Sequence, residues 1–241
     1  MNDAVKFYQD YRLCIFNFPQ IPDTLDTDEA VTYWIFSQNI PYIDIDLEFN
    51  IPLWQAESKL AESALVGHRE SQQHRGWKSC CMHGLGIDKT GTDMSAPLDA
   101  YYWTELSTLT PTIKNFWEQF PFEHLARVRF MQLETGGYIM PHNDTPPGHE
   151  TGFDFSKHLV PINIAIDHPA DCFMTLKDSG VIPWTTGKIK LVNITNDHSV
   201  VNFSSNSRMH LIAHGIVGDR FKDFCKLIAR SYRKQYERNR I

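Results

Sequence analysis

The feature that most constrains the fold is a series of short β-type runs that begins just past the middle of the chain. From Leu125 onward these are Ala126–Leu133, Tyr138–Pro141, Val160–Asp167, Cys172–Lys177, Lys188–Ile194, Ser199–Phe203 and Arg208–His214. The gaps carry turn residues, among them Thr135-Gly136-Gly137, Asp178-Ser179-Gly180, Thr186-Gly187 and Ser204-Ser205-Asn206. No helical period separates the runs, so the strands have no crossovers to make them parallel and must pair antiparallel. That many strands in an open sheet would expose unpaired edges, which closure removes. The expected core, residues 125–215, is therefore a double-stranded β-helix, the jelly-roll or cupin-like barrel.

The residues before this core, 1–124, read as helical. Asp28–Gln38 is a short aromatic helix, and Leu53–Arg69 places Leu53, Ala56, Leu60, Ala64 and Leu65 at helical spacing. Thr110 is a natural N-cap with Pro111 at the first helical position, and Ile113, Phe116, Trp117 and Phe120 form one apolar stripe before Pro121 ends it. Residues 219–238 read as a final amphipathic helix. With no repeat and no Pro- or Gly-rich linker, residues 1–241 are expected to form one domain, mainly β with flanking helices.

Charge and composition narrow the function classes. A formal net charge of −6 argues against a nucleic-acid partner, and the basic run Lys226–Arg240 reads as a solvated helix face. No stretch approaches the ~18 apolar residues of a membrane span, and Met1–Tyr8 lacks the pattern of a secretory leader, so the expected location is the cytoplasm with no membrane partner. Cys14, Cys80, Cys81, Cys172 and Cys225 form no spaced framework and read as reduced thiols.

Chemistry concentrates at His142-Asn143-Asp144. At the end of a strand-like run, residues two apart project to one side, so an imidazole and a carboxylate share a face. With 11 His and 18 Asp, about one His-x-Asp is expected by chance. His68-Arg69-Glu70 has the same form, but it ends a helical stretch, where residues two apart diverge. Downstream, Asp197-His198-Ser199-Val200-Val201-Asn202 leads through a turn to Arg208. His142, Asp144 and His198 together make a two-His, one-carboxylate facial triad, which leaves open positions on Fe(II) for a bidentate co-substrate and O2. A hairpin between the His198 and Arg208 strands would return Arg208 to the same barrel mouth. There its guanidinium suits the far carboxylate of 2-oxoglutarate.

From Arg127 to Gly215 the chain resembles the aspartyl/asparaginyl β-hydroxylase family of Fe(II)- and 2-oxoglutarate-dependent dioxygenases, which also includes free-proline hydroxylases. The matching pieces are Arg129-Phe130-Met131-Gln132-Leu133 leading through Gly136-Gly137 to Pro141-His142-Asn143-Asp144, then Pro161-Ile162-Asn163-Ile164-Ala165-Ile166, His198-Ser199-Val200-Val201-Asn202 and Arg208. The resemblance implies that His142, Asp144 and His198 hold iron and carry the catalysis, and that Arg208 binds the co-substrate. Some family members place a co-substrate-binding histidine where Asn163 stands, which makes Asn163 a second co-substrate partner. Asp144 fills the position a halogenase would vacate, so the implied reaction is hydroxylation of an unactivated carbon, with release of succinate and CO2. The implied substrate is an amino acid, free or peptidyl, of aspartyl/asparaginyl or prolyl type.

Arg127, Arg129 and His210 are further polar candidates for the pocket, and His214 shares strand parity with Arg208. Trp184 reads as a buried aromatic under a loop. A non-catalytic metal-binding cupin-like barrel would not need the carboxylate anchor Arg208. A nucleic-acid-directed 2-oxoglutarate oxygenase would need a basic, aromatic-rich groove.

Overall fold

A computed structural model of the chain describes residues 2–69, 72–91, 96–144 and 153–240. Its centre is one long strand, β5 (His124–His142), and every strand pairing among the described residues is antiparallel. The first part of β5 pairs with β11 (Arg208–Ile216), and its end pairs with β10 (His198–Asn202). Beyond β11 come β6 (Val160–Asp167), β9 (Ile189–Val192) and β1 (Tyr42–Asp44). Beyond β10 come β7 (Cys172–Leu176) and β8 (Gly180–Val181). The curled sheet is the expected double-stranded β-helix core with flanking helices.

Two local expectations are corrected. Thr135-Gly136-Gly137 does not end a strand, because β5 runs unbroken through it. The last rung with β11 is Leu133 against Arg208 and the first with β10 is Tyr138 against Val201, so the glycines bend the strand where it changes partner. Gly136 has φ +68°, and a Cβ there would meet nothing within 4 Å, so the backbone conformation alone favours glycine. The expected hairpin between the His198 and Arg208 strands is also absent. β10 and β11 each pair with β5 instead, and Ser204-Ser205-Asn206 lie on the connection between two parts of the barrel.

The helical N-terminal half contains more strand than its sequence suggests. β3 (Arg75–Gly84) runs along β5 on the side away from β11, and carries β2 (Val66–Gly67) and β4 (Tyr102–Trp103) with it. Cys80, Cys81 and Met82 are all fully buried, so β3 is covered on both faces and lacks the alternation by which a half-exposed strand is recognised.

The helices are α1 (Asp3–Tyr11), α2 (Asp28–Ser37), α3 (Ile51–Ala61), α4 (Leu106–Leu109), α5 (Pro111–Gln119) and α6 (Phe221–Asn239). α3 stops at Ala61 rather than Arg69, and a 3-10 turn leads into β2. Thr110 makes no side-chain cap; its hydroxyl donates to the Leu106 carbonyl at 3.1 Å. The exposed N–H groups of α5 are satisfied by the buried Glu57 carboxylate of α3, which accepts from Thr112 N at 2.9 Å and Ile113 N at 3.0 Å. α6 buries Phe224, Ile228 and Tyr232 against the barrel side of the molecule. Its basic face is paired as well as solvated: Arg230 and Lys234 meet Asp46, Arg233 meets Asp28 and Arg238 meets Asp44. The five cysteines are free thiols. Among the described residues no helix is long and apolar enough to cross a membrane.

Candidate active site

The end of β5 and the start of β10 are antiparallel partners, with His198 directly across from His142. Their ring centroids lie 4.4 Å apart. Asp144 follows two residues beyond His142, held by its N–H donating to the Ile194 carbonyl at 2.9 Å. One ligand atom from each of His142, Asp144 and His198 falls within 4.8 Å of the others, and His142 Nε2 is 3.9 Å from Asp144 Oδ2. Both rings present Nδ1 to a backbone carbonyl, Met140 O at 2.7 Å and Asn196 O at 2.9 Å. Each Nδ1–H therefore donates to the backbone and each Nε2 lone pair faces the shared centre, the tautomer a divalent ion needs.

Electrostatics keep these groups in ligating form. Burial, reinforced by the neighbouring His142, pushes His198 down to about 4, so the ring is neutral. Burial raises the Asp144 carboxyl, but Arg69, His142 and His198 together outweigh it and hold the acid below its usual range. Arg69 Nη1 donates to Asp144 Oδ1 at 3.2 Å, leaving Oδ2 on the side of the histidines.

Arg69 and His74 belong to the site but carried no sequence signal. Arg69 adopts φ +50° just after β2 and reaches a carboxylate 75 residues away. His74 Nδ1 accepts the Met140 N–H at 2.9 Å and its ring lies 5.5 Å from that of His142. The decoy His68 does not lie in a helix, so its parity argument fails. Its ring instead meets the hydroxyls of Thr90 at 3.0 Å and Ser79 at 2.9 Å, outside the donor cluster, and Glu70 lies outside the described residues.

The donor cluster opens into a cavity of about 1020 Å³. Opposed residues of an antiparallel pair share a face, so four rungs of β11 and β5 project inward together: Arg208 with Leu133, His210 with Met131, Ile212 with Arg129 and His214 with Arg127. Asn163, opposite Ile212 on β6, lines the same space. Trp184 is buried against His210, with ring centroids 4.7 Å apart, and does not line the cavity.

Arg208 is 3% exposed, its Nε has no hydrogen-bond partner, and no carboxylate pairs with it among the described residues. A buried guanidinium without an anion is costly, and a carboxylate entering the cavity would compensate it in bidentate fashion. The donor set and Arg208 thus fit a divalent iron and a dicarboxylate. Beside Arg208, His168 Nε2–H donates to the Cys172 carbonyl at 2.9 Å, so its Nδ1 accepts from His210 Nε2–H, also at 2.9 Å. That chain fixes both tautomers.

Comparison with known proteins bears on the fold and the family. A Burkholderia pseudomallei oxidoreductase of the 2OG-Fe(II) oxygenase family superposes with a TM-score of 0.50 at 9% identity, covering 87% of this chain and 97% of its own. A Pseudomonas putida prolyl-4-hydroxylase gives 0.44 at 14% identity, over 78% of this chain and 98% of its own. At 9% identity the likeness to the Burkholderia protein is one of fold. No curated protein matches the chain in sequence. The family model of the aspartyl/asparaginyl β-hydroxylases matches residues 44–216, from the edge strand β1 to the end of β11. On that match the chain belongs to the aspartyl/asparaginyl β-hydroxylase family and is a 2-oxoglutarate-dependent dioxygenase that uses Fe(II) and O2.

Proposed function

We propose that His142, Asp144 and His198 hold the catalytic Fe(II), that Arg208 anchors the distal carboxylate of 2-oxoglutarate with Asn163 as a second polar partner, and that the enzyme hydroxylates an amino acid, free or peptidyl. One observation carries the reading: a two-imidazole, one-carboxylate cluster and a buried guanidinium with no anion among the described residues line the same cavity. When bound, iron with 2-oxoglutarate and O2 supplies an oxidant strong enough to replace an unactivated C–H by C–OH, one oxygen atom going to product and the other to succinate as CO2 leaves.

The side chains provide placement around that chemistry. His142, His198 and Asp144 would hold the ion through three protein ligands, while Arg69 restrains the carboxylate so that it does not swing away. Arg208 orients the co-substrate, the fixed His210–His168 pair supports the wall beside it, and Met131, Met174 and Val200 keep that part of the cavity dry. Asp144 in the ligand set favours hydroxylation over halide transfer. The helical N-terminal part and α6 act with the barrel as one domain.

The test is to incubate the Fe(II)-loaded protein with 2-oxoglutarate, labelled O2 and a panel of amino acids and peptides, following succinate and product mass. Hydroxylation adds one oxygen derived from O2, and His142→Ala or His198→Ala removes turnover while the fold survives. Full turnover in either variant, or a chlorinated or desaturated main product in the presence of chloride, contradicts the proposal.

A further inference from the structure

The cavity is larger than 2-oxoglutarate and one amino acid require. Together these have roughly twenty non-hydrogen atoms, and even at the ~30 Å³ that each water takes in the liquid they fill about 600 Å³. The cavity measures about 1020 Å³. Part of its wall has a distinct chemistry. Ile35 and Phe36 of α2, Ile40 just after it, Ile43 of β1 and Leu191 of β9 all line it, and none carries a polar side-chain atom. Ile43 and Leu191 oppose each other on one rung and so share a face, and with Ile35 and Ile40 they belong to one apolar cluster. Val192, the next residue along β9, belongs instead to the inner cluster with Met131 and Val200. Both clusters reach the cavity where β9 ends, so it passes from the donor side round the strand end to an apolar lobe beside α2. The wall is continuous. The Ile194 carbonyl accepts the Asp144 N–H at 2.9 Å, and Ile194, Val192 and Leu191 line the route onward. Three residues of extended chain span about 10 Å, which separates the lobe from the donor cluster.

We propose that this lobe is a subsite for a hydrocarbon group carried by the substrate, so that the amino acid hydroxylated bears a long aliphatic or aromatic extension. Water against these side chains finds no hydrogen-bond partner, whereas an alkyl or aryl group gains burial with every added carbon. The length of the route sets the spacing: the reacting carbon sits at the donor cluster and the extension several bonds away. An acyl chain on the amino group and a large apolar neighbour in a peptide present the same chemistry to the lobe, and they differ in which probe binds. This inference rests on the amino-acid reading above and deepens it by naming what that substrate carries.

Binding is measured by calorimetry on the full chain, held anaerobically with Fe(II) and saturating 2-oxoglutarate. The probes are aspartate, asparagine and proline carrying either N-acyl groups from acetyl to decanoyl or an N-terminal glycine, leucine or phenylalanine. Affinity is expected to rise with apolar size in at least one series, by about fourfold for each methylene first added to the acyl chain. A rise confined to the acyl series identifies an acylated substrate, and one confined to the dipeptides a peptide. Ile40→Phe, which fills the lobe, should flatten the rise and leave 2-oxoglutarate affinity unchanged; Phe36→Trp serves if that variant does not fold. Straight-chain alcohols from hexanol to decanol carry no amino acid and test the lobe by itself. If they bind more tightly with length while every amino-acid probe fails to bind, the lobe stands and the amino-acid reading fails. Affinity independent of apolar size in acyl series, dipeptides and alcohols alike overturns the subsite. So does a rise that survives in both variants.

Discussion

Arg208→Met separates an anion anchor from a structural side chain, because the two roles move stability in opposite directions. Arg208 is 3% exposed with no carboxylate partner among the described residues, so without ligand the fold carries the desolvation cost of an unpaired cation. Methionine fills much of the same volume without that charge, and removing buried charge in this way is neutral to stabilising by about 1–4 kcal/mol. For a chain of this size roughly 1 kcal/mol moves Tm by about 2–4 °C. The ligand-free variant should therefore melt at the wild-type temperature or several degrees above it. Addition of 2-oxoglutarate at a hundred times its Kd stabilises the wild type by about 2.7 kcal/mol. The variant should lose most of that, since stripping the charged partner from a buried carboxylate costs on the order of 2–5 kcal/mol. Anaerobic thermal denaturation with Fe(II), with and without 2-oxoglutarate, measures both effects. A ligand-free variant that melts several degrees lower while keeping the full 2-oxoglutarate shift refutes the reasoning.

Three further outcomes follow. Arg69→Ala removes the 3.2 Å contact that holds Asp144, and Fe(II) affinity measured against a chelator should fall about 10–100-fold with the circular dichroism spectrum unchanged. Glu57→Ala exposes the Thr112 and Ile113 N–H groups of α5, which should cost about 1–3 kcal/mol in denaturant unfolding. Burial holds His68 and His83 neutral, down to about 3 and about 4, while the unfolded chain protonates near pH 6.5. Their contribution is thus fully present above pH 6.5 and lost as pH falls toward 4, at roughly 1.4 kcal/mol per pH unit for each group. A stability flat across that window contradicts the neutral burial of these rings.

What the sequence made legible was local. The β-runs from residue 160 onward and the spacing of His142, Asp144, His198 and Arg208 depend on strand period and turn chemistry, which act over a few residues, and the observed strand bounds lie close to the expected ones. Distant partners were not legible. β3 is sandwiched, so it shows no alternation; Thr110 has the right residue type for a cap, yet Glu57 from another helix does the capping; Arg69 finds Asp144 only because β2 and β3 fold along β5. The Gly136-Gly137 pair was read as a turn because glycine suits positive φ, and Gly136 does adopt it, but in a bend within a strand. The same limit hid the route from His198 to Arg208, which the chain completes through a shared neighbour, β5, rather than a hairpin.

The central claim is that His142, Asp144 and His198 share one iron ion beside an Arg208-bound dicarboxylate. It is tested most directly by anomalous diffraction at the iron edge, on crystals grown anaerobically with Fe(II) and 2-oxoglutarate. The expected result is a single peak about 2 Å from Nε2 of His142, Nε2 of His198 and a carboxylate oxygen of Asp144, with the co-substrate's far carboxylate on the Arg208 guanidinium. An iron peak away from these three residues, or 2-oxoglutarate lying elsewhere than on Arg208, contradicts it.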